Sequence, residues 1–147
     1  MRISRKLAAA SFMFATSLAA SAGIASADSR MFVAYLYGGN EVPAAGDPDA
    51  FGIATVVLTS TTALCYSIIV RNAAKFTSAH IHSGVAGASG APAVTFPIPA
   101  GGVARHSVCL GSIVAATITD IRNNPQNFYV NVHNGAFGGG AARGQLQ

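Results

Sequence analysis

The chain has 147 residues, of which 51% are hydrophobic and 10% are charged, and its formal net charge is +4. Three of its 9 basic residues (Arg2, Arg5 and Lys6) lie at the start, so residues 28–147 carry six basic and five acidic side chains. This near-neutral remainder has no basic patch, which excludes a nucleic-acid-binding protein, and its few acids supply neither a paired-carboxylate site nor a Ser-His-acid set.

The first 27 residues have the pattern of a secretory signal peptide. A basic start precedes a mostly apolar run from Leu7 to Ala20, and Ala25-Ser26-Ala27 is typical of a cleavage site. The apolar run is shorter than the ~20 residues of a membrane-spanning helix; an uncleaved N-terminal anchor is the alternative. We therefore expect a secreted or periplasmic protein cleaved after Ala27, with one domain of residues 28–147 and no transmembrane span in the mature chain.

Eight short runs in residues 28–147 are predicted to form strands, because their apolar, aromatic and β-branched residues are bounded by turn signals. These strands span residues 31–37, 51–58, 63–70, 78–82, 93–96, 104–110, 128–133 and 142–146. One helix is predicted from Ser112, as its N-cap, to Asn123, because Val114, Ile118 and Ile121 recur at helical spacing. The pattern predicts a mainly β protein: an antiparallel β-sandwich or Greek-key barrel with one short helix.

The chain has two cysteines, Cys65 and Cys109, and each lies within a predicted strand. Export would place them in an oxidising compartment, where an even pair favours one disulfide bond. Two buried free thiols are the alternative. A cysteine metal ligand is the least favoured interpretation, because a disulfide sulfur is not a thiolate.

Three histidines on two predicted strands form the candidate site. On a strand His80 and His82 point to the same face while Ile81 points to the other, and Asn131 and His133 share a face in the same way. Because imidazole suits Cu, Zn and Ni, His80, His82 and His133 are candidate metal ligands, with copper as the candidate ion. The alternative is structural: the rings would hydrogen-bond to backbone carbonyls of a glycine-rich loop and hold it on the sheet.

Three other polar residues have predicted supporting roles. Glu41 could be a fourth metal ligand, or it could pair with the guanidinium of Arg143 and tie the two ends of the domain together. Asn131 could orient an imidazole ring through the ring's free N–H.

Five motifs, in order along the chain, resemble the CHRD (chordin) domain family. They are Glu41-Val42-Pro43, Gly52-Ile53-Ala54, the run from Ala79 to Gly90, Tyr129 to His133, and Arg143 to Leu146. The chain departs from the family at Gly140-Ala141-Ala142, where Gly-Glu-Ile is usual, and at Ala44, where a second proline is usual. The resemblance implies a secreted or periplasmic β-sandwich, found alone in bacteria and repeated in the animal protein chordin, which sequesters growth-factor ligands. It implies no defined biochemical activity.

These observations favour an exported, non-enzymatic binding or envelope-associated module whose partner is an unknown protein or envelope component. The alternative is a periplasmic copper-binding protein, with or without redox chemistry, that uses the three histidines. The His-x-His strand and the later Val-x-His also look like the metal ligands of copper/zinc superoxide dismutase, although the chain shows neither the long zinc loop nor a suitably placed Asp. A homo-oligomer, with glycine-rich loops packed against a second copy, is a third expectation.

Overall fold

The computed structural model describes residues 29–147, and the predicted signal peptide, residues 1–27, lies outside the described residues. Each predicted strand is present, with ends displaced by at most one residue. In chain order the described elements are β1 (Arg30–Tyr37), β2 (Phe51–Leu58), β3 (Leu64–Arg71), β4 (Ser78–Ser83), β5 (Pro92–Phe96), β6 (Arg105–Leu110), helix α1 (Ala115–Asn123), β7 (Phe128–His133) and β8 (Ala142–Gln145), with short 3-10 turns at Gly38–Asn40 and Pro125–Asn127.

All eight strands belong to one sheet in the order β5-β4-β7-β8-β1-β2-β3-β6, and every neighbouring pair is antiparallel. The sheet curls into a half-barrel, because Tyr66 of β3 stacks on Phe96 of β5 although five strands separate β3 from β5 in the sheet order. Their ring centroids are 3.9 Å apart and the planes differ by 15°. The predicted mainly antiparallel β fold with one short helix is confirmed.

The strands bury alternate residues inside the curl, as the two-residue period of a strand requires. In β1, Phe32, Ala34 and Leu36 are buried, whereas Tyr35 and Tyr37 are exposed. We call the side with the buried apolar residues the core face and the opposite side the outer face. Each large apolar side chain fully buried on the core face contributes roughly 1.5–3 kcal/mol to folding.

Helix α1 begins two residues later than predicted, with its N-cap at Val114 and not at Ser112. Ser112 has a φ of 59°, and Val114, which is 67% exposed, takes the N-cap position without a side-chain hydrogen bond. Ile118 and Ile121 are buried as their spacing predicts, so packing rather than capping holds the helix against the sheet. Within residues 29–147, no helix has the length and apolar character needed to cross a bilayer.

The predicted disulfide is confirmed, which rules out the free-thiol alternative. Cys65 and Cys109 lie directly opposite each other on β3 and β6, and the bond joins them on the outer face. The two residues are 44 apart in sequence, so the bond contributes about 4 kcal/mol in the chain-entropy model. It fastens β6, the last strand at one edge of the described sheet, to its neighbour β3.

Candidate functional site

The candidate site lies on the outer face of β4, β7 and β8. The register pairs His80 with Asn131 and Asn131 with Arg143, and it pairs His82 with Tyr129. Each of these residues lies between core-facing neighbours, so all of them project from the outer face. Three loops surround this part of the face: the Glu41 loop (residues 38–50), the first glycine-rich loop (residues 84–91) and the second glycine-rich loop (residues 134–141).

The structure brings the three predicted histidines together, and we call His80, His82 and His133 the histidine cluster. One ring nitrogen from each lies within 4.8 Å of the others. The Nδ1 of His80 is 3.2 Å from the Nε2 of His133. That this cluster holds a metal ion stays a prediction.

Backbone carbonyls of the two glycine-rich loops orient two rings of the histidine cluster. The Nδ1 of His82 donates to the carbonyl oxygen of Gly90 at 2.8 Å, and the Nδ1 of His133 donates to that of Gly138 at 3.0 Å. Such hydrogen bonds are expected if the histidines only hold the loops on the sheet. They are also the hydrogen bonds that orient histidine ligands of a metal ion. The Nδ2 of Asn131 donates to Glu41, and its Oδ1 has no hydrogen-bond partner among the described residues. That Asn131 orients a ring stays a prediction.

Burial favours the neutral form of His80 and His133. It lowers the pKa values of His80 and His133 below the usual 6.5. The neighbouring imidazoles lower them further, because two charged rings so close together repel each other, and for His133 the hydrogen bond to Gly138 opposes the shift. Neutral imidazole is the form that binds a metal ion.

Tyr129 packs between the histidine cluster and Arg143. Its ring stacks on that of His82, with centroids 5.0 Å apart, and the guanidinium carbon of Arg143 lies 3.8 Å from the Tyr129 ring centroid. Because β4 and β8 flank β7 on opposite sides, the two contacts come from opposite directions. Sequence reasoning missed Tyr129, although the Tyr-x-Asn-x-His spacing places it on the same strand face as Asn131 and His133.

Glu41 lies in a buried pocket beside Asn131 and not in the histidine cluster. The side-chain amide of Asn131 donates to both carboxylate oxygens of Glu41 at 2.9 Å, and Glu41 is 6% exposed. Burial raises the pKa of Glu41 to about 7, against the lowering effects of the Arg143 charge and the Asn131 hydrogen bond. The group of nitrogens within 4.8 Å includes no Glu41 oxygen, so the predicted ligand role for Glu41 has no support in this geometry.

Gly140 is required beside Glu41. Its φ is +147°, and a Cβ at this position would overlap the Glu41 carboxylate. Gly46 packs against the same side chain. In the sequence, the run of glycines before Arg143 indicates that another part of the chain approaches the backbone closely here. That run does not identify Glu41 as the approaching residue.

Arg143 ties a loop to the sheet rather than pairing directly with Glu41. Its Nη2 donates to the carbonyl oxygen of Ala88 in the first glycine-rich loop at 2.8 Å. The predicted bidentate pair is not found among the contacts of residues 29–147, where Arg143 acts on Glu41 through its charge. Arg143 is 2% exposed, so its charge is held inside by the Ala88 and Tyr129 contacts.

A second feature of the outer face is an apolar patch on β1 and β2, which we call the aromatic face. Tyr37 pairs directly with Phe51, and Tyr35 pairs with Ile53. These four side chains are all exposed, and the two tyrosines are each 51% exposed. Sequence reasoning treated these runs only as strands, although outward aromatic residues were visible in the two-residue alternation.

Comparison with known proteins gives one match. The model of the CHRD domain family matches residues 32–146 of this chain. No curated protein and no solved structure shows significant similarity to the chain.

Proposed function

Because the chain belongs to the CHRD domain family, we propose that it is an exported, non-enzymatic binding module for a protein or envelope component. The family match over residues 32–146 carries the proposal. The disulfide between Cys65 and Cys109 is consistent with an oxidising compartment outside the cytoplasm.

The positions of the described acids support a non-enzymatic role. Glu41 is buried and receives both hydrogen bonds of the Asn131 amide. Asp49 and Asp120 are exposed, and the side chain of Asp47 accepts a hydrogen bond from the backbone of Asp49. None of these four carboxylates lies in the histidine cluster, so none of them can orient one of its rings as the acid of a Ser-His-acid set does.

The aromatic face offers a surface for the partner. Clustered exposed aromatic and aliphatic side chains mark interaction sites, and tyrosine and phenylalanine are enriched at the centres of protein interfaces. Phe51 and Ile53 continue the surface begun by Tyr35 and Tyr37 across two paired strands, so a partner would meet a continuous apolar area.

A capture experiment with matched surface variants tests this proposal. The protein is immobilised and exposed to an envelope extract, in parallel with a Tyr35→Ser/Tyr37→Ser variant. We expect a specific envelope component to bind the parent, and to bind the variant at least tenfold more weakly once purified, because truncating interface aromatic residues costs more than about 1 kcal/mol each. The control is Val114→Ser, which removes an exposed apolar side chain at the start of α1.

Two results would count against the proposal. The surface is wrong if the Tyr35→Ser/Tyr37→Ser variant retains the parent's affinity. The functional class is wrong if the purified protein shows robust metal-dependent turnover. Light scattering on the purified parent tests whether the partner is a second copy of the chain. Self-association would raise the molar mass in the absence of any extract, whereas binding to a different partner would not.

A second candidate function is a periplasmic copper-binding protein, and the convergence of His80, His82 and His133 favours it. Elemental analysis of protein purified from its native compartment tests it directly. Stoichiometric copper would support this function, and copper-dependent electron transfer would extend it to redox chemistry. Protein that contains no transition metal when isolated without chelators would contradict it.

A further inference from the structure

The hydrogen bonds of the histidine cluster determine where its protons lie. A carbonyl oxygen only accepts, so the Nδ1 atoms of His82 and His133 carry the protons directed at Gly90 and Gly138. In the neutral rings the Nε2 atom of each residue is therefore unprotonated and carries a lone pair. The proton between His80 and His133 then belongs to Nδ1 of His80.

One of these lone pairs is left without a partner. The Nε2 of His82 is buried and accepts no hydrogen bond from any described residue. A buried polar atom in this state carries a cost in stability, and among the described residues Oδ1 of Asn131 and Nδ2 of Asn134 are the other two such side-chain atoms. An electron-pair acceptor bound at this nitrogen would remove the cost.

The spacing of the ring nitrogens is close to that of a metal centre. Nitrogens held about 2.0–2.1 Å from one ion lie about 2.9 Å apart at right angles in a tetragonal site and about 3.4 Å apart in a tetrahedral site. The observed 3.2 Å between Nδ1 of His80 and Nε2 of His133 lies between these values, and the other ligand nitrogens, within 4.8 Å of one another, would move closer together when an ion binds.

We infer that the histidine cluster holds one transition-metal ion, Cu²⁺ more tightly than Zn²⁺, and that the bound ion fastens both glycine-rich loops to the sheet. This inference deepens the second candidate function and rests on it. The ligands are Nε2 of His82, Nε2 of His133 and Nδ1 of His80, whose proton moves to its own Nε2 when the ion replaces the hydrogen bond to His133. Three neutral nitrogens favour Cu²⁺ over Zn²⁺ in the usual order of stability and disfavour Mg²⁺ and Ca²⁺, which prefer oxygen ligands.

The link to the loops passes through the same two rings. An ion on Nε2 withdraws electron density from the ring, so the Nδ1 proton becomes a stronger donor to Gly90 and to Gly138. One ion thus strengthens a hydrogen bond to each glycine-rich loop. Both loops line grooves together with the Glu41 loop, so occupancy of the site changes the surface that a partner meets.

Metal titration of four histidine variants tests the site, because the chain has four histidines and one of them lies elsewhere. His106 is on β6, where its ring lies near Tyr66 on the core face, so His106→Ala is the matched control. The untagged, disulfide-bonded protein is titrated with Cu²⁺, Zn²⁺ and Mg²⁺. We expect one Cu²⁺ per chain, weaker Zn²⁺ binding and no Mg²⁺ binding.

Each of His80→Ala, His82→Ala and His133→Ala should weaken Cu²⁺ binding by about 100-fold or more, since even residues that only orient a ligand contribute 10–100-fold. The His106→Ala variant should bind as the parent does. If all four variants bind equally, the assignment is refuted. A measurement on the parent alone guards against misfolded variants: Zn²⁺ should shift the Nε2 nitrogen resonances of His82 and His133 while their Nδ1 protons remain.

Hydrogen–deuterium exchange separates the loop inference from metal binding itself. With saturating Zn²⁺, amides of residues 84–91 and 134–141 in the parent should exchange about tenfold more slowly, and those of the His82→Ala variant should not. Binding without any change in exchange would refute the loop inference and leave the second candidate function intact. Absence of saturable metal binding would refute both the loop inference and the copper-binding function, and it would not affect the proposal of a binding module.

Discussion

Glu41 gives the metal-free protein a pH-dependent stability. Its pKa in the folded protein is about 7, above the usual 4.5, so the fold favours the protonated acid. Its contribution is complete below pH 4.5 and is lost as the pH rises to 7. His80 and His133 act oppositely, because their lowered pKa values mean that the folded protein gains stability as the pH rises to 6.5.

We predict that Glu41→Gln abolishes the loss of stability that the parent shows as the pH rises to 7. The gain in stability due to His80 and His133 then becomes visible on its own. The amide keeps an oxygen to accept the Asn131 hydrogen bond but does not ionise. In urea unfolding of metal-free protein, the free energy of unfolding of this variant should rise up to about pH 6.5 and then level off. Between pH 4.5 and pH values above 7, the free energy of unfolding of the parent should fall by up to about 3 kcal/mol relative to that of the variant. Parallel profiles for the two proteins would contradict the assignment.

At the residue scale, sequence reasoning found the histidines but not all of their contacts. The two-residue period of a strand was enough to place His80 and His82 on one face. The partners of Asn131 and Arg143 depend on how the loops fold back over the sheet. Because loop paths are set by tertiary packing and by glycines such as Gly140, the Asn131–Glu41 contact could not be read from spacing.

At the element scale, the disulfide holds an edge strand in place. On β6, Cys109 faces Cys65 of β3, and two residues along the same strands Ser107 donates to Ser67 at 2.8 Å. Both cross-strand pairs are on the outer face, so they offer a matched comparison of a covalent bond with a hydrogen bond.

We predict that Cys65→Ser/Cys109→Ser lowers the free energy of unfolding by about 4 kcal/mol, because it removes the covalent closure of a long loop. The control, Ser67→Ala/Ser107→Ala, should cost about 1 kcal/mol or less, since an exposed hydrogen bond exchanges with water. Both values come from urea unfolding of oxidised protein. Equal losses for the two double variants would show that the disulfide contributes no more than a local contact.

Strands were more predictable than the helix start for a physical reason. Each strand run is rich in apolar, aromatic and β-branched residues and is bounded by turn signals, and this local pattern survives in the fold. The start of α1 depends on the backbone at Ser112, whose φ of 59° lies in the left-handed region and not in the extended region that an N-cap residue adopts. Val114 had the right spacing to be buried, yet it lies before the first helical turn.

At the scale of the whole molecule, the curl of the sheet could not be predicted from the sequence. The predicted class, an antiparallel sandwich or barrel, is right, but the strand order is set by which runs meet across the core. The contact that closes the curl joins Tyr66 and Phe96, which are 30 residues apart on strands that are not hydrogen-bonded neighbours. The hydroxyl of Tyr66 also donates to the carbonyl oxygen of Pro97 at 3.5 Å.

We predict that Phe96→Ala destabilises both ends of the sheet and not only β5. Removing a fully buried phenylalanine costs about 3–5 kcal/mol, and here it also removes the ring stacked on Tyr66. Hydrogen exchange should therefore accelerate in β5 and in β3, which lie far apart in the sheet order but meet across the core. Phe137→Ala, a partly buried ring in the second glycine-rich loop, is the control and should leave exchange in β3 unchanged. Faster exchange confined to β5 would mean that the edges of the sheet are stabilised independently and that the Tyr66–Phe96 contact does not close the fold.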